Sequence, residues 1–135
     1  MRVLADSHTI YWYLNDRKLL SDRALEALLE AEADEGIGVS VLTLPDLWMA
    51  ATRKRGVKAL SQAEYEILKK ALLDPENAID AEPLTLAAWD HFELVSRKIS
   101  DPMDGLIIAT ALALDVPLVS KDRAIRKADV VEVIW

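Results

Sequence analysis

Short apolar runs recur along this chain at long intervals, and helix-length patterned segments fill the gaps between them. Val3-Leu4-Ala5 reads as a buried strand, and Gly38-Val39-Ser40-Val41 as a second. Pro117-Leu118-Val119-Ser120 reads as a third, residues 130–134 as a fourth, and a further short strand is expected within 77–81. Between them, Leu25, Leu28 and Leu29 are expected on one face of a helix over 22–35. Tyr65, Leu68 and Leu72 follow Ser61 at helical spacing; Leu86, Trp89 and the pair Phe92/Leu94 follow Pro83. Ile107, Ile108, Ala111 and Leu112 follow Pro102. Strands that alternate with helices pack as a parallel sheet covered by those helices. The expected fold is α/β: a central, mainly parallel sheet of four to five short strands flanked by α-helices.

With 135 residues, 52% of them apolar, the chain suits one domain over residues 1–135 with one real core. No repeat, low-complexity tract or linker interrupts it. It has no cysteine, which excludes disulfides and thiolate metal sites and points to a reducing cytoplasm. Two histidines, His8 and His91, are too few for a histidine-built metal site. No apolar run reaches the ~20 residues of a membrane span. The opening MRVLADSHTIYWYL does not read as a signal peptide, because Asp6 interrupts the apolar stretch. A formal net charge of −7 argues against a passive nucleic-acid binder, although divalent cations can invert the charge of an acidic site.

Four aspartates have positions that fold logic makes informative. Ligands of open α/β sheets bind beyond the carboxyl ends of the strands. Asp6 directly follows the first strand, and Asp122 lies two residues after Ser120 at the end of the third. Asp46, in SVLTLPDLW, closely follows the second strand; Asp104, in SDPMDGLIIATALA, starts the helix leading to the third. Gathered at one edge, these carboxylates would repel one another. A hard cation such as Mg2+ or Mn2+ resolves that conflict, and phosphodiester hydrolysis is the chemistry such a site suits. Capping is the competing explanation. Thr43-x-x-Asp46 has the form of a helix N-terminal box with Pro45 early in the helix, and Asp101-Pro102-x-Asp104 has Asp101 at the N-cap. Spacing leaves both readings open at Asp46 and Asp104; Asp122 could likewise cap residues 123–127. Ser61-x-x-Glu64 is a capping box that no strand delivers to the edge, and is read as structural. Asp6 is harder to explain structurally, since a charge directly after a buried strand is costly unless paired or liganded.

The segments VLADSHTIYWYL, VSVLTLPDLWMAATRKRG and SDPMDGLIIATALALDVPLVSKD, in this order, resemble the PIN-domain family, and most closely its VapC-like ribonuclease toxins. The resemblance implies that Asp6, Asp46, Asp104 and Asp122 are the catalytic, metal-binding acids. It also implies that Asp101 is an accessory acid and that Ser7, Ser40 and Ser120 are small hydroxyl residues near the site. It implies Mg2+ or Mn2+ as cofactor, endonucleolytic cleavage of RNA, a homodimer and a cognate antitoxin protein as partner. The chain departs from the pattern at Asp46, where Glu is usual, at Gly105, where Arg is frequent, and at Pro45. Asp46 has a carboxylate about one methylene shorter in reach, and Gly105 removes a possible phosphate contact or ion pair. These departures motivate an alternative: a catalytically weakened PIN module that mainly binds antitoxin or RNA. A phosphoacceptor domain of the response-regulator kind fits less well, because Ser7 and His8 stand where a second acid is expected.

Among the other residues, His8 is read as structural rather than as a general base. Trp12, Trp48 and Trp89 are read as core or dimer-interface residues rather than base-stacking platforms. Lys121 and Arg123, with Arg126 and Lys127, adjoin Asp122 and are candidates for meeting RNA phosphates. Arg53, Lys54, Arg55 and Lys58 form a second basic group, read as a solvated face, with Gly56 ending the helix before it.

Overall fold

The computed structural model describes residues 1–53 and 60–135. The chain runs β1 (Val3–Ala5), α1 (Ser7–Asn15), a 3-10 turn (Arg17–Leu19), α2 (Asp22–Ala33), β2 (Ile37–Ser40), α3 (Thr43–Arg53) and α4 (Gln62–Leu73). It continues with β3 (Ile79–Glu82), α5 (Leu86–Val95), α6 (Pro102–Leu114), β4 (Leu118–Val119), α7 (Arg123–Ala128) and β5 (Val133–Ile134). The strands form one sheet in the order β3-β2-β1-β4-β5, and every pairing is parallel. The expected α/β architecture is therefore present, with five strands among the described residues.

The sheet is buried on both sides, which is why its central strands are continuously apolar rather than alternating. Val3 and Ala5 enter one core cluster with residues of α1, α2, α3 and α4, while Leu4 enters a second with residues of α5, α6 and α7. Leu118 and Val119 divide between the two clusters in the same way. Side-chain caps start most helices. Ser21 accepts from the Ala24 amide, Thr85 from Ala88, and Ser61 with Glu64 completes the expected capping box.

Several boundaries and faces differ from expectation. β2 begins at Ile37, not Gly38, because Gly36 (φ +94°) makes the turn out of α2, and a Cβ there would also stand 3.0 Å from the Ala78 carbonyl oxygen. β4 and β5 are only two residues each. In α2 the buried positions are Ala24, Leu28 and Ala31, and Leu29 faces solvent. In α5, the helix that Leu86, Trp89 and Phe92/Leu94 mark, Leu86 is 86% exposed and Leu94 63%, while Ala88 and Val95 are buried. The physical reason is the close approach of α5 to α6. A Cβ on Gly105 would lie 3.0 Å from the Phe92 ring, so Phe92 fills the space that Gly105 leaves while Leu86 and Leu94 turn outward. Lys54, Arg55, Gly56 and Lys58, with the helix end expected at Gly56, lie outside the described residues.

Candidate active site

The order of the strands places the site. From β1 the chain builds outward to β2 and β3, then returns to add β4 and β5 on the opposite side. The crevice at such a reversal lies beyond the carboxyl ends of β1 and β4. Asp6 leaves β1 there, and Ser120 and Asp122 leave β4. The start of α6 brings Asp101 and Asp104 to the same place, and the first turn of α3 brings Asp46.

Three of these acids, Asp6, Asp101 and Asp122, cap the helices they precede. Asp6 caps α1, its Oδ1 accepting from the Thr9 amide at 2.9 Å. Asp122 caps α7, its Oδ1 accepting from the amides of Ala124 at 2.8 Å and Ile125 at 3.3 Å. The Ser120 hydroxyl accepts from the Asp122 amide at 3.1 Å and fixes the turn that presents it. Capping by one oxygen leaves the second oxygen of each carboxylate for other partners.

The capping reading resolves at the other two positions. Asp101 is the N-cap of α6, accepting from the amides of Met103 and Asp104, with Pro102 at the first helical position. Asp104 makes no reciprocal bond to that cap among the described residues, so its carboxylate is not spent on the helix end. The Thr43-x-x-Asp46 box does not form. Thr43 already lies within α3, and its buried hydroxyl has no hydrogen-bond partner among the described residues. Pro45 falls in the first turn of α3, where a missing N–H costs little.

The five aspartates share one cleft of about 630 Å³. It is also lined by Ser7, His8, Trp12, Lys121 and Arg123. Asp104 shows the electrostatic strain of the arrangement. Its carboxyl pKa is pushed up to about 7, first by loss of solvent and then by the charges of Asp101, Asp122, Asp6 and Asp46. Burial also raises Asp6, against the opposing effects of hydrogen bonds from Ser120 and Thr9 and of the nearby His8.

Ser40 is buried at the end of β2, where its hydroxyl accepts from the Leu42 amide at 3.2 Å; it shapes the turn into α3 and does not line the cleft. Ser7 does line it, with a buried hydroxyl that has no partner among the described residues. A Cβ at Gly105 would stand 3.0 Å from the Phe92 ring and 3.9 Å from Val95 of α5. Trp48 packs on Tyr65 between α3 and α4, and Trp89 stacks on Phe92 along α5. Trp12, read from its helical spacing as a core or interface residue, stands in the cleft wall with His8. Their i, i+4 relation puts both on one face of α1, which Asp6 caps, but that spacing does not say what the face meets.

The residues fit a hard divalent cation by chemistry. The donors are all oxygens, the Asp104 carboxyl is held partly protonated by loss of solvent and then by like charges, and the Ser7 hydroxyl lacks a partner among the described residues. Among the described residues no three His, Asp or Glu side chains stand close enough to hold one ion directly. That spacing suits an ion held by one or two carboxylates that reaches the others through retained waters, which is the habit of Mg2+.

A parallel α/β sheet with an acidic cleft at its topological switch point defines the class of this molecule. The chain belongs to the PIN domain family, whose model matches residues 3–131; that family is generally one of nucleases. No curated protein sequence matches it. Solved structures share the fold at low identity. VapBC2 from Rickettsia felis bound to a DNA fragment from the promoter aligns with TM-score 0.69 and 14% identity, covering 98% of this chain and 97% of that one. DNA-bound VapBC from Salmonella typhimurium aligns with TM-score 0.70 and 11% identity, covering 98% and 96%. VapBC-5 from Mycobacterium tuberculosis, a member of the VapBC family of toxin-antitoxin systems, aligns with TM-score 0.62 and 14% identity, covering 98% and 94%.

Proposed function

We propose that this protein is a Mg2+- or Mn2+-dependent endoribonuclease acting as the toxin of a toxin–antitoxin pair. The observation that carries the reading is the convergence of Asp6, Asp46, Asp101, Asp104 and Asp122 on one cleft at the carboxyl ends of β1 and β4. Membership of the PIN family and the toxin–antitoxin structures that share the fold support it. A homodimer neutralised by an antitoxin, working in the cytoplasm, completes the reading. No helix among the described residues is long and apolar enough to cross a membrane.

In this mechanism the divalent ion would be held by one or two of Asp6, Asp104 and Asp122 and would reach the others, and the shorter Asp46, through retained waters, while Asp101 would add charge at the rim. When bound, the ion neutralises the cleft, activates water and steadies a phosphoryl oxygen. Lys121 and Arg123, at the mouth, bind flanking phosphates and orient the strand. Ser120 keeps Asp122 in place, and Ser7 offers an uncommitted hydroxyl to solvent or substrate oxygen.

A digestion of single-stranded RNA with Mg2+, Mn2+ and EDTA arms tests this. Cleavage is expected with either metal and none with EDTA. Asp6→Asn and Asp104→Asn are each expected to lose more than about 100-fold of the rate. Undiminished cleavage by both variants would remove the assigned site. The spacing of the carboxylates and the short reach of Asp46 favour a second reading, a weakened nuclease that mainly binds antitoxin or RNA. Tight RNA or antitoxin binding with no metal-dependent cleavage would select it.

A further inference from the structure

We infer that Trp12 is the platform on which the site takes an unpaired nucleobase next to the phosphate to be cut; this rests on the nuclease reading above. Trp12 stands in the wall of the same cleft that the aspartates line. It is half-buried, and its ring is braced from behind by the core and by Trp135, whose ring centroid lies 6.0 Å away. His8, one turn earlier on α1 and also in the wall, extends the aromatic surface at 5.6 Å. The ammonium of Lys121 lies over the Trp12 ring, 5.6 Å from its centroid.

A tryptophan serving only the core has no need of a place in an acidic cleft with an exposed lysine at its face. An exposed cation–π contact is weak, whereas stacking of a base on a braced aromatic ring is worth clearly more. A base arriving on Trp12 therefore displaces Lys121, and the freed ammonium meets the adjoining phosphate while the next phosphate faces the carboxylates. Aromatic faces accept any base, so this platform selects for strandedness rather than sequence. A base paired in a duplex cannot reach it.

The test compares wild-type protein, Trp12→Phe and Trp12→Ala on a short single-stranded RNA, on the same RNA paired to its complement, and on versions made abasic at each position around the mapped cleavage site. Trp12→Ala is expected to raise KM on the intact single strand about 5- to 100-fold with kcat changed far less, and Trp12→Phe to retain most of the affinity. For the wild type, removing one particular base should raise KM by a similar factor, and on that abasic RNA Trp12→Ala should add less than about twofold. The abasic arm on wild-type protein decides the matter even if Trp12→Ala fails to fold. An unchanged KM in folded Trp12→Ala, or penalties that simply multiply, would overturn the inference. If the wild type leaves every RNA intact, the nuclease reading falls by itself. The same RNAs then serve as equilibrium ligands, and quenching of tryptophan fluorescence by intact but not abasic RNA, lost in Trp12→Phe, decides the platform.

Discussion

In the folded protein Asp104 keeps its proton to about pH 7, whereas an unfolded aspartate releases it near pH 4. Between these values the folded state binds a proton that the unfolded state lacks, so stability falls as pH rises through that window. Below about pH 4 both states are protonated and the penalty vanishes. Asp104→Asn should therefore raise the metal-free Tm at pH 8 by roughly 2–5 °C and leave it unchanged at pH 4, as measured by thermal unfolding. An equal gain at both values would mean that the side chain acts by packing, not charge. Thr43 offers a second test. Its hydroxyl is fully buried with no partner among the described residues, so isosteric Thr43→Val should stabilise the protein by about 1 kcal/mol in denaturant titration.

Among the secondary elements, the ends of α6 and α7 hold unused stability. Asp115 and Asp129 each adopt φ +54° at a helix C-terminus, where glycine is at ease and a negative charge opposes the helix dipole. Asp115→Gly and Asp129→Gly should each stabilise by about 0.5–1 kcal/mol, and together additively. The contact of α5 with α6 behaves oppositely. Gly105→Ala gains about 1 kcal/mol of helix propensity but crowds the Phe92 ring. In a Phe92→Ala background only the gain remains. A double-mutant cycle should show a coupling of about 1–3 kcal/mol, and zero coupling would disprove the close approach.

At the scale of the whole molecule, a cation that binds only the folded chain stabilises it by mass action. At about ten times its Kd this amounts to about 1.4 kcal/mol, a Tm rise of roughly 3–6 °C. The rise should be larger at pH 8 than at pH 6, because the Asp104 proton must leave first, and should shrink in Asp104→Asn. How much of the molecule was readable beforehand follows from where its signals are local. β1, buried on both faces, is bounded in sequence by the arginine before it and the aspartate after it, and the Ser61 box forms as its spacing requires. The acids after β1 and β4 were placed by sheet logic alone. The outward turn of Leu86 and Leu94 was not readable, because it depends on a glycine and a phenylalanine meeting between two helices. Nor was the place of Trp12, since helical spacing reports a face but not what stands across from it.

The middle strand of the sheet is the first one made, yet one of its two neighbours, β4, comes almost last: Leu4 pairs with Leu118. Long-range pairings of this kind close late. The acidic cleft therefore has no existence in a partly made domain: Asp122, behind β4, cannot join Asp6 until the whole stretch between them has been synthesised and has folded back onto β1.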